Sequence, residues 1–180
     1  MGMKKNVILV VIGVIVIILI TILIIKSSKD KPFNKVELSD SNIITNVNGQ
    51  FPSYYDTIVN VAMEQSGLSG YDVYLLPLSD NAKGQFDGEL KAHIRYQDNN
   101  FYLYTIDLGR SEAIEVLSHE VIHMDQYVSK DLIYSNNTLT WKGNVLELNS
   151  IEYTQRPWEK DAFDRQYGLI KLVNEKLYNK

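Results

Sequence analysis

Val7 to Ile25 reads VILVVIGVIVIILITILII, aliphatic throughout except for Gly13 and Thr21, and without a charge. A helix built from it has no polar face, so it cannot lie on the surface of a core in water. At about 1.5 Å per residue, the run of about 19 spans roughly 28 Å, close to the hydrocarbon thickness of a bilayer. A secretory signal peptide would carry a shorter apolar stretch, with small residues at a cleavage site after it. Here Ile24-Ile25-Lys26-Ser27-Ser28-Lys29 offers no such site. Residues 1–25 are therefore expected to form an uncleaved, single-pass membrane anchor.

Lysines flank the run on both sides: Lys4 and Lys5 before it, and Lys26, Lys29, Lys31 and Lys35 after it. By count alone the positive-inside rule leans towards a cytoplasmic C-terminal part. The very short basic N-terminus is instead like a bacterial signal anchor, and an extracytoplasmic domain is the expectation taken here. Residues 26–50 are polar and rich in Ser, Asn, Asp and Lys, with Pro32, and read as a tether. Residues 51–180 read as one compact domain.

Charge narrows the partners. With Lys4 and Lys5 set apart, 16 of the 18 basic residues and all 22 acids lie beyond the apolar run, a net charge of −6. Nucleic-acid binders carry basic patches, so nucleic acid is not an expected partner. The chain has no Cys. Disulfides and thiolate ligands are thereby excluded, and any metal site must be built from His, Asp and Glu.

Hydrophobic spacing places the elements. Tyr55, Ile58, Val59, Ala62 and Met63 recur at helical intervals, and Gly67 or Gly70 ends that helix. Tyr71–Leu78 is a β-rich run. Leu90, Ala92, Ile94 and Tyr96 alternate within Gly88–Gln97, the stretch Asp98–Asn100 is turn-like, and Phe101–Leu108 is again β-rich. A hairpin follows from that pattern. Ser111 then has the character of an N-cap, with Glu112 and Glu115 at the positive end of a helix dipole. Ile114, Leu117, Val121, Met124 and Val128 give that helix an apolar stripe over roughly 17 residues. Asp131–Asn149, broken at Asn-Asn and Lys-Gly, suits a second hairpin. Pro157 suits the first position of a last helix, with Trp158, Ala162, Leu169, Ile170, Val173 and Leu177 as its apolar face. The fold class expected is α+β.

SHEVIHMDQ, Ser118 to Gln126, lies on the helix that follows the hairpin, and it uses two of the chain's three histidines. Residues four apart on a helix share a face, so His119 and His123 can aim ring nitrogens at one point. Zinc takes such nitrogens at about 2.0–2.1 Å. Glu120 is rotated by about 100° from His119. It is thus poorly placed as a ligand to the same ion but well placed to act on a water beside it. Two ligands and a general base in this order are the H-E-x-x-H arrangement.

A catalytic zinc takes a third protein ligand and keeps an open position. His93, Asp125, Glu147, Glu152 and Glu159 are the candidates. Glu159 is the best placed of them, in the first turn of the helix that Pro157 begins, where the dipole favours a carboxylate. Asp161 competes with it locally.

SHEVIHMDQ resembles the active-site helix of zincin metallopeptidases. RPWEKDA, Arg156 to Ala162, resembles the downstream segment of small bacterial and phage gluzincin-type proteins with the pattern HExxHxxQ followed by PWExxA. The resemblance covers residues 118–162. It implies a zincin-like domain, with a small β-sheet packed on the active-site helix and a C-terminal helix. It also implies Zn2+ held by His119, His123 and Glu159, with Glu120 as base. Gln126 stands where a metzincin would soon need Gly and a third His, which departs from that branch. The function expected is that of a membrane-anchored zinc metallopeptidase acting on a peptide or protein substrate. Tyr153, Arg156 and His93 are the candidates for stabilising the oxyanion, and an edge strand before the helix could pair with an extended peptide. A membrane-tethered zinc-binding or interaction domain without catalysis is the alternative; an intact Glu120 speaks against it.

Overall fold

The computed structural model describes residues 42–79, 90–135, 138–147 and 151–178. The expected anchor Val7–Ile25, most of the tether, and Gly88 and Glu89 of the expected hairpin lie outside them. Among the described residues no helix is long and apolar enough to cross a membrane.

The described chain is α+β, with three helices and two sheets. Strand β1 (Ile43–Asn46) leads through a 3-10 turn (Val47–Gly49) into helix α1 (Tyr54–Gln65), and β2 (Asp72–Pro77) returns parallel to β1. The hairpin β3 (Ala92–Gln97) and β4 (Asn100–Thr105) follows, with β4 parallel to β2 and β3 outermost. The four-stranded order is β1-β2-β4-β3. Helix α2 (Arg110–Val128) comes next, then a three-stranded antiparallel sheet of β5 (Leu132–Ser135), β6 (Thr138–Trp141) and β7 (Asn144–Leu146). A second 3-10 turn (Tyr153–Gln155) precedes helix α3 (Pro157–Tyr178).

Local chemistry explains the joints. Helix α1 ends where Gly67 takes φ +71°. There the Leu68 N–H bonds to Met63 O and the Gly67 N–H to Glu64 O, a Schellman closure that a side chain at 67 would strain. The β3–β4 turn uses Asp98 and Asn99 and the β6–β7 turn uses Lys142 and Gly143, all at positive φ. Two residues at positive φ are what a tight hairpin needs to match the twist of its strands.

One face of the larger sheet, carrying Val73, Leu75, Ile94, Phe101 and Leu103, is buried. Helix α1 packs on β1 and α2 on β3, and the three helices pack on one another. The opposite face carries Tyr74, Tyr102 and Tyr104. Tyr74 stacks on Tyr102 with ring centroids 5.2 Å apart, and His93 stacks on Tyr104 at 4.8 Å. These rings form a cross-strand ladder away from α2. The smaller sheet meets α3 through a cluster of Leu132, Leu139, Trp141 and Trp158. That contact fixes where the first turn of α3 sits.

Two expectations shift in detail. The stretch read as a tether up to Gln50 already belongs to the sheet at β1, and Asn42 is tied by its side-chain amide to Leu68 O and Tyr71 N. A four-residue edge strand with alternating exposure leaves too little apolar signal to stand out from a polar stretch. Ser111 is not the cap of α2: the helix begins at Arg110, with Gly109 at the cap position and no side-chain cap bond. The reason lies upstream. The Tyr55 hydroxyl accepts from the Leu108 N–H at 2.6 Å and donates to Ile106 O at 3.1 Å, while the Tyr54 hydroxyl donates to Leu108 O at 2.6 Å. These bonds clamp the strand-to-helix junction, and the chain turns into the helix two residues earlier. Tyr55 is fully buried. Tyr55→Phe therefore leaves the Leu108 N–H without its partner, at an expected cost of about 1–3 kcal/mol in chemical denaturation. A variant as stable as the parent would show that the junction is held by packing alone.

Candidate metal centre

Helix α2 presents Ser118 to Met124 as an almost wholly buried segment. Its apolar stripe faces the core, as the spacing predicts. Its polar side is also buried, because α3 lies across it. His119, Glu120 and His123 are 7 %, 6 % and 6 % exposed, and Glu159 on α3 is 6 % exposed.

Three atoms converge. His119 Nε2 lies 3.2 Å from His123 Nε2 and 3.3 Å from Glu159 Oε2, and His123 Nε2 lies 3.4 Å from the same oxygen. Four ligands around one ion at about 2.05 Å in tetrahedral array stand about 3.3–3.4 Å from each other. The triangle has the dimensions of one face of that tetrahedron. It is also a cluster of electron-pair donors facing each other in a buried place. Each histidine gives its other nitrogen to a glutamine: His119 Nδ1 to Gln166 Oε1 at 3.0 Å, and His123 Nδ1 to Gln126 Oε1 at 2.8 Å. The Gln126 amide nitrogen is held by Trp158 O and Asp161 Oδ2, so its oxygen faces His123. An amide oxygen only accepts, so His123 Nδ1 carries hydrogen and its Nε2 can turn a lone pair to the centre. Among the described residues these three form the one group of His, Asp or Glu side chains able to hold an ion together.

Glu159 is fixed from its other side. Its Oε1 accepts from the Trp158 indole N–H at 3.1 Å, leaving Oε2 for the histidines. The Phe163 ring, one turn along α3, lies 4.7 Å from the His119 ring and covers its outer side. Burial opposes charge on Glu159, but hydrogen bonds from His119, His123 and Tyr153 hold its carboxyl well below the usual carboxylate range. Burial likewise opposes charge on His123, yet the Glu159 bond and the Glu120 and Glu159 carboxylates push it up to about 9. Each shift marks a site that holds opposite charges close together.

Glu120 stands beside the triangle without joining it. Its Oε2 is buried and has no hydrogen-bond partner among the described residues. Burial raises its pKa, Glu159 adds to the rise, and the two histidines oppose it. The carboxyl looks into a cavity of about 140 Å³ that His123, Glu159, Tyr153, Arg156 and His93 also line. Burial and the Glu159 carboxylate raise the Tyr153 phenol well above its ordinary range.

The other candidates for a third ligand lie elsewhere. His93 stacks on Tyr104 at the cavity wall and is outside the converging group. Asp125 pairs with Arg165, and Asp161 accepts from Gln126 and Arg165. Glu147 and Glu152 are exposed. Of the candidates for an oxyanion donor, Tyr153 and Arg156 line the cavity; strand β3 also borders it, but the His93 ring stacks on Tyr104 on the sheet face away from α2.

Two glutamines carry roles that the sequence did not suggest. Gln126 stood in the quoted motif without a function, although its position three after His123 puts it on the same helical face. Gln166 had no sequence signal, since its meeting with His119 needs the packing of α3 on α2. No family model, no curated protein and no solved structure matches the chain.

Proposed function

We propose that the chain is a membrane-anchored zinc metallopeptidase of the zincin type, with His119, His123 and Glu159 as ligands and Glu120 as general base. The observation that carries this is the buried triangle of 3.2, 3.3 and 3.4 Å with the unpartnered Glu120 Oε2 beside it, Glu120 lining a cavity together with His123 and Glu159. Support for a zincin-like domain comes from the order of hairpin, motif helix and later glutamate helix. Proximity to a membrane rests on the apolar run at residues 7–25, and an extracytoplasmic placement on the short basic N-terminus before it.

A bound zinc supplies Lewis acidity and brings the ionisation of a water towards neutral pH. The rest falls to the chain's own groups. Glu120 takes the proton of the attacking water and passes it to the leaving amine. Its raised pKa suits both halves of that task, because a base with a pKa nearer neutral also returns the proton. Tyr153 and Arg156 face the same cavity and can donate to an oxygen that gains charge. Strand β3 lies at the sheet edge and lines the cavity through Ala92, His93 and Ile94, so an extended peptide can pair with it beside the site.

The test uses the full-length chain in detergent micelles and a mixed peptide library read by mass spectrometry. Cleavage that stops on chelation and returns with zinc is the expected result; a zinc-loaded chain that cuts nothing while Glu120→Gln is indistinguishable from it favours the non-catalytic alternative.

Zinc affinity should also depend on pH. In the metal-free chain His123 keeps its proton up to about 9. Binding must displace that proton, so affinity should rise by up to about tenfold per pH unit from 7 towards 9. Stability of the metal-free chain moves the other way. A histidine pKa raised on folding stabilises fully below the unfolded value of about 6.5 and loses that contribution as pH rises to about 9. Chelator competition and melting in EDTA read the two slopes; slopes of the same sign would contradict the assignment.

A further inference from the structure

Resting on the zinc-site reading above, we propose that Gln126 is a positioning residue that sets two of the three ligands at once. Its amide fixes how His123 presents itself and locks the turn that carries Glu159.

Gln126 is 1 % exposed and its amide is fully used. Its nitrogen donates to Trp158 O at 2.9 Å and to Asp161 Oδ2 at 2.9 Å. Both partners accept only, so the nitrogen must face them. The amide oxygen is then forced towards His123 Nδ1, 2.8 Å away. A nitrogen meeting that oxygen must carry hydrogen, which leaves Nε2 for the metal. Trp158 and Asp161 flank Glu159 in the first turn of α3. One side chain on α2 thus holds the orientation of a ligand on its own helix and the position of a ligand on another. Arg165 continues the link, pairing with both Asp161 and Asp125, and Asp125 neighbours Gln126 on α2.

Gln166 provides the internal control. It receives His119 Nδ1 in the same way, but its amide nitrogen has no partner among the described residues. Nothing beyond the histidine dictates which way it faces. A carboxylate at 166 can therefore replace its oxygen. A carboxylate at 126 cannot, because it would face Trp158 O and the Asp161 carboxylate with no hydrogen to give.

The experiment measures zinc affinity of the full-length chain in detergent by chelator competition, with melting in EDTA as the measure of folding. Gln126→Glu is expected to weaken zinc by about 10–100-fold, the range for removing a partner of a ligating histidine. Gln166→Glu keeps an acceptor for His119 Nδ1 and should cost clearly less affinity than Gln126→Glu. Adding Asp161→Asn to Gln126→Glu returns a donor opposite the new carboxylate and should recover about tenfold of the loss. A purely structural role would lower the EDTA melting temperature without this rescue of affinity. Should Gln126→Glu fail to fold, Gln126→Met, apolar and similar in size, is expected to show the same loss. Unchanged affinity in the variants at 126, or equal losses at 126 and 166, overturns the role of Gln126 while leaving the zinc site standing. A parent chain that takes up no zinc overturns both.

Discussion

Glu120→Gln should lower turnover of a cleaved peptide by about 10²–10⁴-fold, the share a positioned general base contributes, with one zinc per chain retained. The two halves of that outcome have separate causes. Glutamine matches the shape of glutamate, and Glu120 is not one of the three converging side chains, so the ligand triangle keeps its geometry. The loss is confined to proton transfer. Because Glu120 Oε2 has no hydrogen-bond partner among the described residues, the exchange breaks no bond at that atom. Removing a buried carboxyl whose charge is disfavoured should, if anything, raise the melting temperature of the metal-free chain. Turnover within about tenfold of the parent, at full zinc occupancy, would exclude Glu120 as the base.

The second large effect concerns stability. An ion that binds the folded chain alone stabilises it by about 4 kcal/mol when present at about a thousand times its dissociation constant. For a domain of this size that corresponds to a rise of about 8–16 °C in melting temperature. His123→Ala and Glu159→Ala should each abolish the rise under the same zinc concentration. Their metal-free forms differ in a telling way. Glu159→Ala removes the group that holds the proton on His123, so the loss of stability between neutral pH and about 9 should flatten. His123→Ala removes the titrating group itself. A zinc-induced rise that survives in Glu159→Ala would move the third ligand elsewhere.

Much of the fold was legible because its signals are local. The helical spacing in α1 and α2, the Asp98-Asn99 and Lys142-Gly143 turns, and Pro157 at the start of α3 each follow from a few adjacent residues. The parallel pairing of β1 and β2 was not, since it joins strands with a helix between them and β1 has only four residues. The start of α2 was misplaced because the junction is clamped by Tyr54 and Tyr55, which lie about 50 residues upstream. At the site, the i, i+4 spacing alone put His119 and His123 on one face. Glu159 was open among several acids, because choosing it depends on how α3 crosses α2. The glutamine partners show the same limit more sharply: an amide's role depends on what packs against it, and a sequence pattern has no term for that.

Metal content of the purified full-length chain tests the central claim most directly. Elemental analysis after purification in zinc-replete, chelator-free buffer should find one zinc per chain in the parent and in Glu120→Gln, and none in His119→Ala, His123→Ala or Glu159→Ala. A parent chain without zinc, or one whose zinc is indifferent to these three side chains, would contradict the account.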